Sequence, residues 1–225
     1  MGWLLALVVA AASVTSLDQA LALEQQGDDA KAASSVDALI SQQPTYGLAH
    51  LEAGRLALKR DDLDRARLEL SIATALLPEN PRAQFFFGMM AQERGQGTEA
   101  LAALERAVAL RPDYLEARLR LGALYLAKGD ALHAEAHLQT VVTSDPSQLV
   151  ARLQLARALE LEGRMEDAER GLVSLHTEQP DAPVVTRALA SFYDRTQRPA
   201  LAQKVRATPD APKKRKLRPL KRSRR

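Results

Sequence analysis

Cysteine is absent from the 225 residues, and aromatic side chains make up only 4% of them. The first absence excludes a disulfide framework, thiolate metal sites, a cysteine nucleophile and a lipidated N-terminal cysteine. The second, with β-branched runs also scarce, argues against a sheet-based core. No glycine-rich phosphate loop occurs, and no nucleophile, base and orienting group stand together as a catalytic set. Of the four histidines, His50 and His176 have no companions. His133 and His137 lie four apart in His-Ala-Glu-Ala-His. That spacing can place two ligands on one metal, but the Glu sits one place too late for a zinc-protease motif. The sequence therefore implies no catalytic residue, no cofactor and no metal, and the expectation is a protein that is not an enzyme.

What is present is leucine and alanine, the main part of a 46% hydrophobic content. Both are strong helix formers, so the expected fold is all-α. Charge is divided unevenly. The net charge of +3 includes nine Lys or Arg and no acid in Lys213–Arg225; the remainder carries 22 basic against 28 acidic residues, a body at −6. An acidic body thus ends in a strongly basic tail.

A single period organises the body. Pro44, Pro78, Pro112, Pro146 and Pro180 are spaced by 34 residues throughout. Ala32, Ala66, Ala100, Ala134, Ala168 and Ala202 keep the interval, as do the small residues Ala20, Gly54, Gly88, Gly122, Ala156 and Ala190. An apolar series runs Val36, Leu70, Leu104, Leu138 and Leu172, and Gly27, Gly95, Gly129 and Gly163 mark one turn, with Asp61 standing in for a fifth glycine. Each series has a physical task. The prolines stop one helix before the next pair begins. The small residues let two helices of a pair approach, with the alanine series as the opposing contact. The glycines permit a left-handed turn, and the leucines fill the interface to the next pair. A hairpin of this size cannot bury its apolar face alone, so neighbouring pairs must stack.

This pattern resembles the tetratricopeptide repeat family over residues 13–207, through the 34-residue period and stretches such as LEARLRLGALYLAKGDALHAEAHLQTVVTSDP at 115–146. The resemblance implies an α-solenoid, a right-handed superhelix of five helical hairpins at 13–46, 47–80, 81–114, 115–148 and 149–182. A degenerate capping pair follows at 183–207, where Gln197 and Arg206 replace the expected Gly and Leu. The family's early bulky residue is replaced by His50, Gln84, Arg118 and Arg152, so packing at those four points does not carry over. The resemblance further implies that the first helix of each pair lines a groove for a protein or peptide partner. By register the groove positions are Leu51, Glu52, Arg55, Phe85, Phe86, Met89, Arg120, Leu153 and Arg157. For Leu51, Leu119 and Leu153 the competing reading is packing against adjacent helices. In Gln84-Phe85-Phe86-Phe87-Gly88-Met89-Met90, one helix cannot point three consecutive phenylalanines at one narrow core. Phe87 takes the core register and Phe85 and Phe86 the groove, where aromatics and Met serve as anchors. The Lys, Asn and Arg set with which some family members hold a terminal carboxylate is absent.

The two ends carry further readings. Gly2 to Leu17 is uncharged and Trp3 to Val14 nearly all apolar. Residues 1–17 could be a secretory signal, a membrane anchor shorter than the ~20 residues of a span, or a first helix of the solenoid. Membrane association or export, at a bacterial envelope, is the favoured expectation over a cytoplasmic one. The repeat number is similar to that of type IV pilus pilotins, which are lipoproteins, whereas no cysteine occurs here. Residues 208–225 are expected to form a disordered basic tail. Through Lys213, Lys214, Arg215 and Lys216 it offers a second reading, docking to an anionic membrane, to nucleic acid or to an acidic partner. No aromatics are interleaved, which argues against single-stranded nucleic acid. Tail binding should weaken steeply with salt, while an apolar groove should not.

Overall fold

Six residues in the left-handed region punctuate the chain at intervals of 34. They are Gly27, Gly95, Gly129 and Gly163, and the non-glycines Asp61 (φ 60°) and Gln197 (φ 58°). Each closes the turn inside a helix pair. The next residue's N–H reaches back five positions, Asp28 to Leu23 O at 2.9 Å, Gln96 to Ala91 O at 2.8 Å and Arg198 to Tyr193 O at 2.8 Å among others, which is the six-to-one bond that satisfies a helix C-terminus. Three turns then cap the second helix in the same register: the carboxylates of Asp28, Asp62 and Asp130 accept the N–H groups of Lys31, Arg65 and His133 at 3.2, 3.1 and 3.2 Å.

The computed structural model describes residues 17–207, which form twelve helices and no strand. The expectations for the apolar segment before Leu17 and for the basic tail lie outside the described residues. Helix α1 is described over 17–25. It is followed by α2 (Asp29–Gln42), α3 (Gly47–Lys59), α4 (Leu63–Leu76), α5 (Pro81–Glu93), α6 (Gly97–Leu110) and α7 (Leu115–Ala127). Then come α8 (Ala131–Ser144), α9 (Leu149–Leu161), α10 (Met165–Glu178), α11 (Pro183–Arg195) and α12 (Pro199–Ala207). Among the described residues no helix is long and apolar enough to cross a membrane. The fold is an all-α solenoid of successive helix pairs.

Two compact units divide at Leu124 and Tyr125, within α7. In the first unit α2, α3, α4, α5 and α6 pack each on the next. Leu51, Leu70, Met90, the register alanine Ala66 and its neighbour on α4, Ala73, are wholly buried in one cluster there. The close approach is steric: a Cβ on Gly54 would lie 2.5 Å from Leu70 Cγ, and one on Gly88 2.7 Å from Leu104 Cγ. In the second unit α8 to α12 pack in sequence. Its core joins Ala156, Leu159, Ala168, Leu172, Leu189, Phe192, Tyr193 and Ala202. The last pair, degenerate in sequence, thus contributes two buried aromatics.

The four departures from the family pattern find a common use. His50 Nε2 donates to Pro44 O at 2.9 Å, Gln84 Nε2 to Pro78 O at 3.4 Å, Arg118 Nε to Pro112 O at 2.7 Å and Arg152 Nη1 to Pro146 O at 3.4 Å. Each polar side chain ties the first helix of a pair to the proline carbonyl of the turn before it, a group outside any helical ladder. His50 also meets Glu69 through Nδ1 at 2.7 Å, pinning α3 to α4.

Candidate functional site

The groove register of the first unit is occupied by its own side chains. On α3, Glu52 and Arg55 are one turn apart, and Arg55 Nε donates to Glu52 at 2.6 Å. Both terminal nitrogens of Arg55 reach the Glu24 carboxylate on α1. Glu52 accepts in addition from Arg82 Nη2 on α5 at 2.8 Å. Lys59 joins Glu24 and Asp29 at 3.2 and 2.7 Å. Charges therefore alternate from α1 through α3 to α5. The Arg55 hydrogen bond chiefly holds the Glu24 carboxyl below its ordinary range, against the opposing effect of burial. Burial disfavours the Arg55 cation, but its bonds to Glu24 and Glu52 reverse that and raise its pKa. Leu51 beside them is 0% exposed. The expectation that Leu51 faces a partner is thus corrected, since Leu51 is core; Arg55 is partly exposed and held by two internal carboxylates.

Phe85 is corrected as well. It is 7% exposed, because Tyr114, just before α7, lays its ring 4.7 Å from that of Phe85. Phe86 meets Phe85 edge-on at 5.3 Å, and the Arg120 guanidinium stands 5.9 Å over the Phe85 ring while donating to Gln92 at 3.0 Å. Phe86, Met89 and Arg120 remain half-buried. Phe87, expected in the core, is also half-buried and lines a shallow cleft with Thr74, Ala75 and Glu99.

In the second unit the register behaves differently. Leu153 and Arg157 on α9 line an open recess of 320 Å³ whose opposite wall is α11, with Val184, Arg187, Ala188, Ser191 and Arg195. Ala156 and Leu172 complete its floor. Glu160 is its one acid; it receives Arg195 Nε and Nη2 at 2.6 and 2.8 Å and Arg157 Nη1 at 2.9 Å. Burial works against the ionised Glu160, but the two arginines outweigh it and hold its carboxyl below the usual range. Such a surface can hold apolar and anionic groups side by side. The groove register inferred from the sequence leaves out the α11 wall, because residues 183–207 read as a degenerate capping pair. The signal was present: Arg187, Ser191 and Arg195 stand 34 residues after Leu153, Arg157 and Leu161.

His133 and His137 both stack on Tyr125, at 5.1 and 5.7 Å, and His133 Nδ1 bonds Asp130 at 2.8 Å. Among the described residues no group of three or more metal-ligating side chains gathers. Lys213, Lys214, Arg215 and Lys216 lie outside the described residues.

Sequence profiles described as tetratricopeptide repeat match residues 17–81, and then 91–146 and 125–192. The chain belongs to the tetratricopeptide repeat family. Among curated proteins none matches it significantly. Among solved structures, a tetratricopeptide repeat protein from Parabacteroides merdae superposes with a TM-score of 0.72 at 19% identity, covering 86% of this chain and 77% of that one. PilW, described as a widely conserved type IV pilus biogenesis factor, gives 0.72 at 19%, over 87% of this chain and 91% of its own. YrrB, described as having an unusual peptide-binding site, gives 0.69 at 21%, over 78% and 91%. At these identities the likeness speaks for the fold and not for the partner. The tetratricopeptide fold is that of a protein–protein interaction scaffold.

Proposed function

We propose that this tetratricopeptide protein is a non-catalytic adaptor that grips a segment of a partner protein on the first helices of its pairs, chiefly in the recess between α9 and α11. The observation that carries this reading is the recess itself. It is concave, it has an apolar floor, and Leu153 and Arg157 stand at positions the repeat register assigns to a partner. Val184 on its wall is 47% exposed, an apolar side chain that a ligand would cover. Phe86 and Met89 extend the same use to the first unit. The uncharged apolar stretch from Gly2 to Leu17 supports a proposed membrane-associated or exported setting.

The test is photo-crosslinking in cells from p-benzoylphenylalanine placed at Val184 and, as a control, at Leu68, which is 60% exposed on α4. The proposal expects a discrete protein adduct from Val184 and none from Leu68. Equal labelling from both sites, or labelling from Leu68 alone, would remove the recess as the binding surface.

A further inference from the structure

We infer that the recess between α9 and α11 selects an acidic segment, one that sets an apolar side chain between two carboxylates; this rests on the reading above that the recess holds part of a partner protein. Three guanidinium groups, Arg157, Arg187 and Arg195, stand around a single carboxylate. Glu160 is 8% exposed and bonded to Arg157 and Arg195, so its charge is directed inward. Two positive charges are left over. Arg187 makes no ion pair among the described residues, although it is exposed. Arg157 uses Nη1 alone and Arg195 only Nε and Nη2 toward Glu160, and each keeps further N–H donors. A guanidinium fork matches a carboxylate bidentately, so this rim can receive two of them, one on Arg187 and one bridging Arg157 and Arg195.

The local charge is not the background of the protein. The chain up to Pro212 has a net charge of −6, yet this rim is basic. A basic or neutral segment would leave Arg187 desolvated without a partner, and Arg157 and Arg195 sharing a single carboxylate. The floor adds a second requirement. Leu153 and Leu172, with the exposed Val184 of the wall above them, call for an apolar side chain between the acids. An anionic bilayer is flat and would reach the rim but not this floor, so the recess favours a peptide over a lipid surface.

The experiment is selection of a phage-displayed library of random short peptides on the intact chain. Enriched peptides are then measured by fluorescence polarisation against the wild type, Arg187→Glu and Phe86→Ala/Met89→Ala. The inference expects enrichment of Asp or Glu on both sides of an apolar residue. Affinity should fall about tenfold or more in Arg187→Glu, the scale of a lost charge-assisted pair, with an unchanged thermal melt and little change in the double variant. Enriched peptides poor in acid, or acid-rich peptides that bind Arg187→Glu equally well, overturn it. Binding lost only in the double variant overturns the inference and leaves a partner-holding scaffold intact, whereas no enrichment on the wild type overturns both. Phosphatidylserine vesicles are the last arm: vesicle binding that Arg187→Glu abolishes, in the absence of peptide binding, assigns the rim to lipid and overturns the inference.

Discussion

The two units carry one repeat register and use it in opposite ways. In the first, the side chains set toward a groove are satisfied by one another: Arg55 by Glu24 and Glu52, Glu52 also by Arg82, Phe85 by Tyr114 and Arg120. In the second, the same positions enclose a recess in which three arginines face one acid. Register therefore fixes where a side chain stands, and the residues on neighbouring helices decide whether it is available. A tyrosine before α7 closes one surface, and Arg187, which has no ion pair among the described residues, opens the other.

The comparison can be attacked first through the cores, which should not differ. Leu70→Ala in the first unit and Leu172→Ala in the second should each cost about 2–5 kcal/mol in urea unfolding. Hydrogen exchange should show each loss concentrated in its own unit, as expected of a chain of nearest-neighbour contacts. The polar residues should separate the units. Glu52→Ala removes a carboxylate that is 3% exposed and bonded to two arginines, and should cost about 1–3 kcal/mol. Arg187→Ala should change stability by no more than about 0.5 kcal/mol, as for a surface site without partners. Equal losses at the two positions would erase the distinction.

Glycine sharpens the contrast further. Gly54→Ala must push a Cβ into Leu70 at 2.5 Å, an overpacking that should cost about 1–3 kcal/mol. Gly171, within α10, has nothing within 4 Å of such a Cβ; Gly171→Ala should stabilise by about 0.5–1 kcal/mol through helix propensity. Acid supplies a test common to both units. Arg152 and Ser174 hold Glu178 down to about 2, and Arg55 and Arg195 hold Glu24 and Glu160 below their usual range. A carboxyl depressed in the folded state contributes its full stability above its unfolded pKa and loses it as pH falls toward the folded value. The melting temperature should therefore hold from neutral pH to the ordinary carboxylate range and decline below it in both units.

Much of the fold was legible because it is written in small residues and turn formers. The 34-residue series of Gly, Ala, Leu and Pro located the turns and close contacts, and the left-handed Asp61 and Gln197 fall in that register without being glycines. The site was less legible. Whether Phe85 is open depends on Tyr114, 29 positions later in the sequence, and whether Arg55 is free depends on Glu24 on another helix. Neither follows from the position within a repeat. His50, Gln84, Arg118 and Arg152 depart from the family at its early bulky position; their bonds to proline carbonyls depend on the turn geometry that only the structure supplies.

The most direct test of the central claim is backbone hydrogen exchange of the intact chain with and without the partner segment captured from Val184. The account predicts slowed exchange in α9 and α11. Protection confined to α8, α10 and α12, with α9 and α11 unchanged, would contradict it.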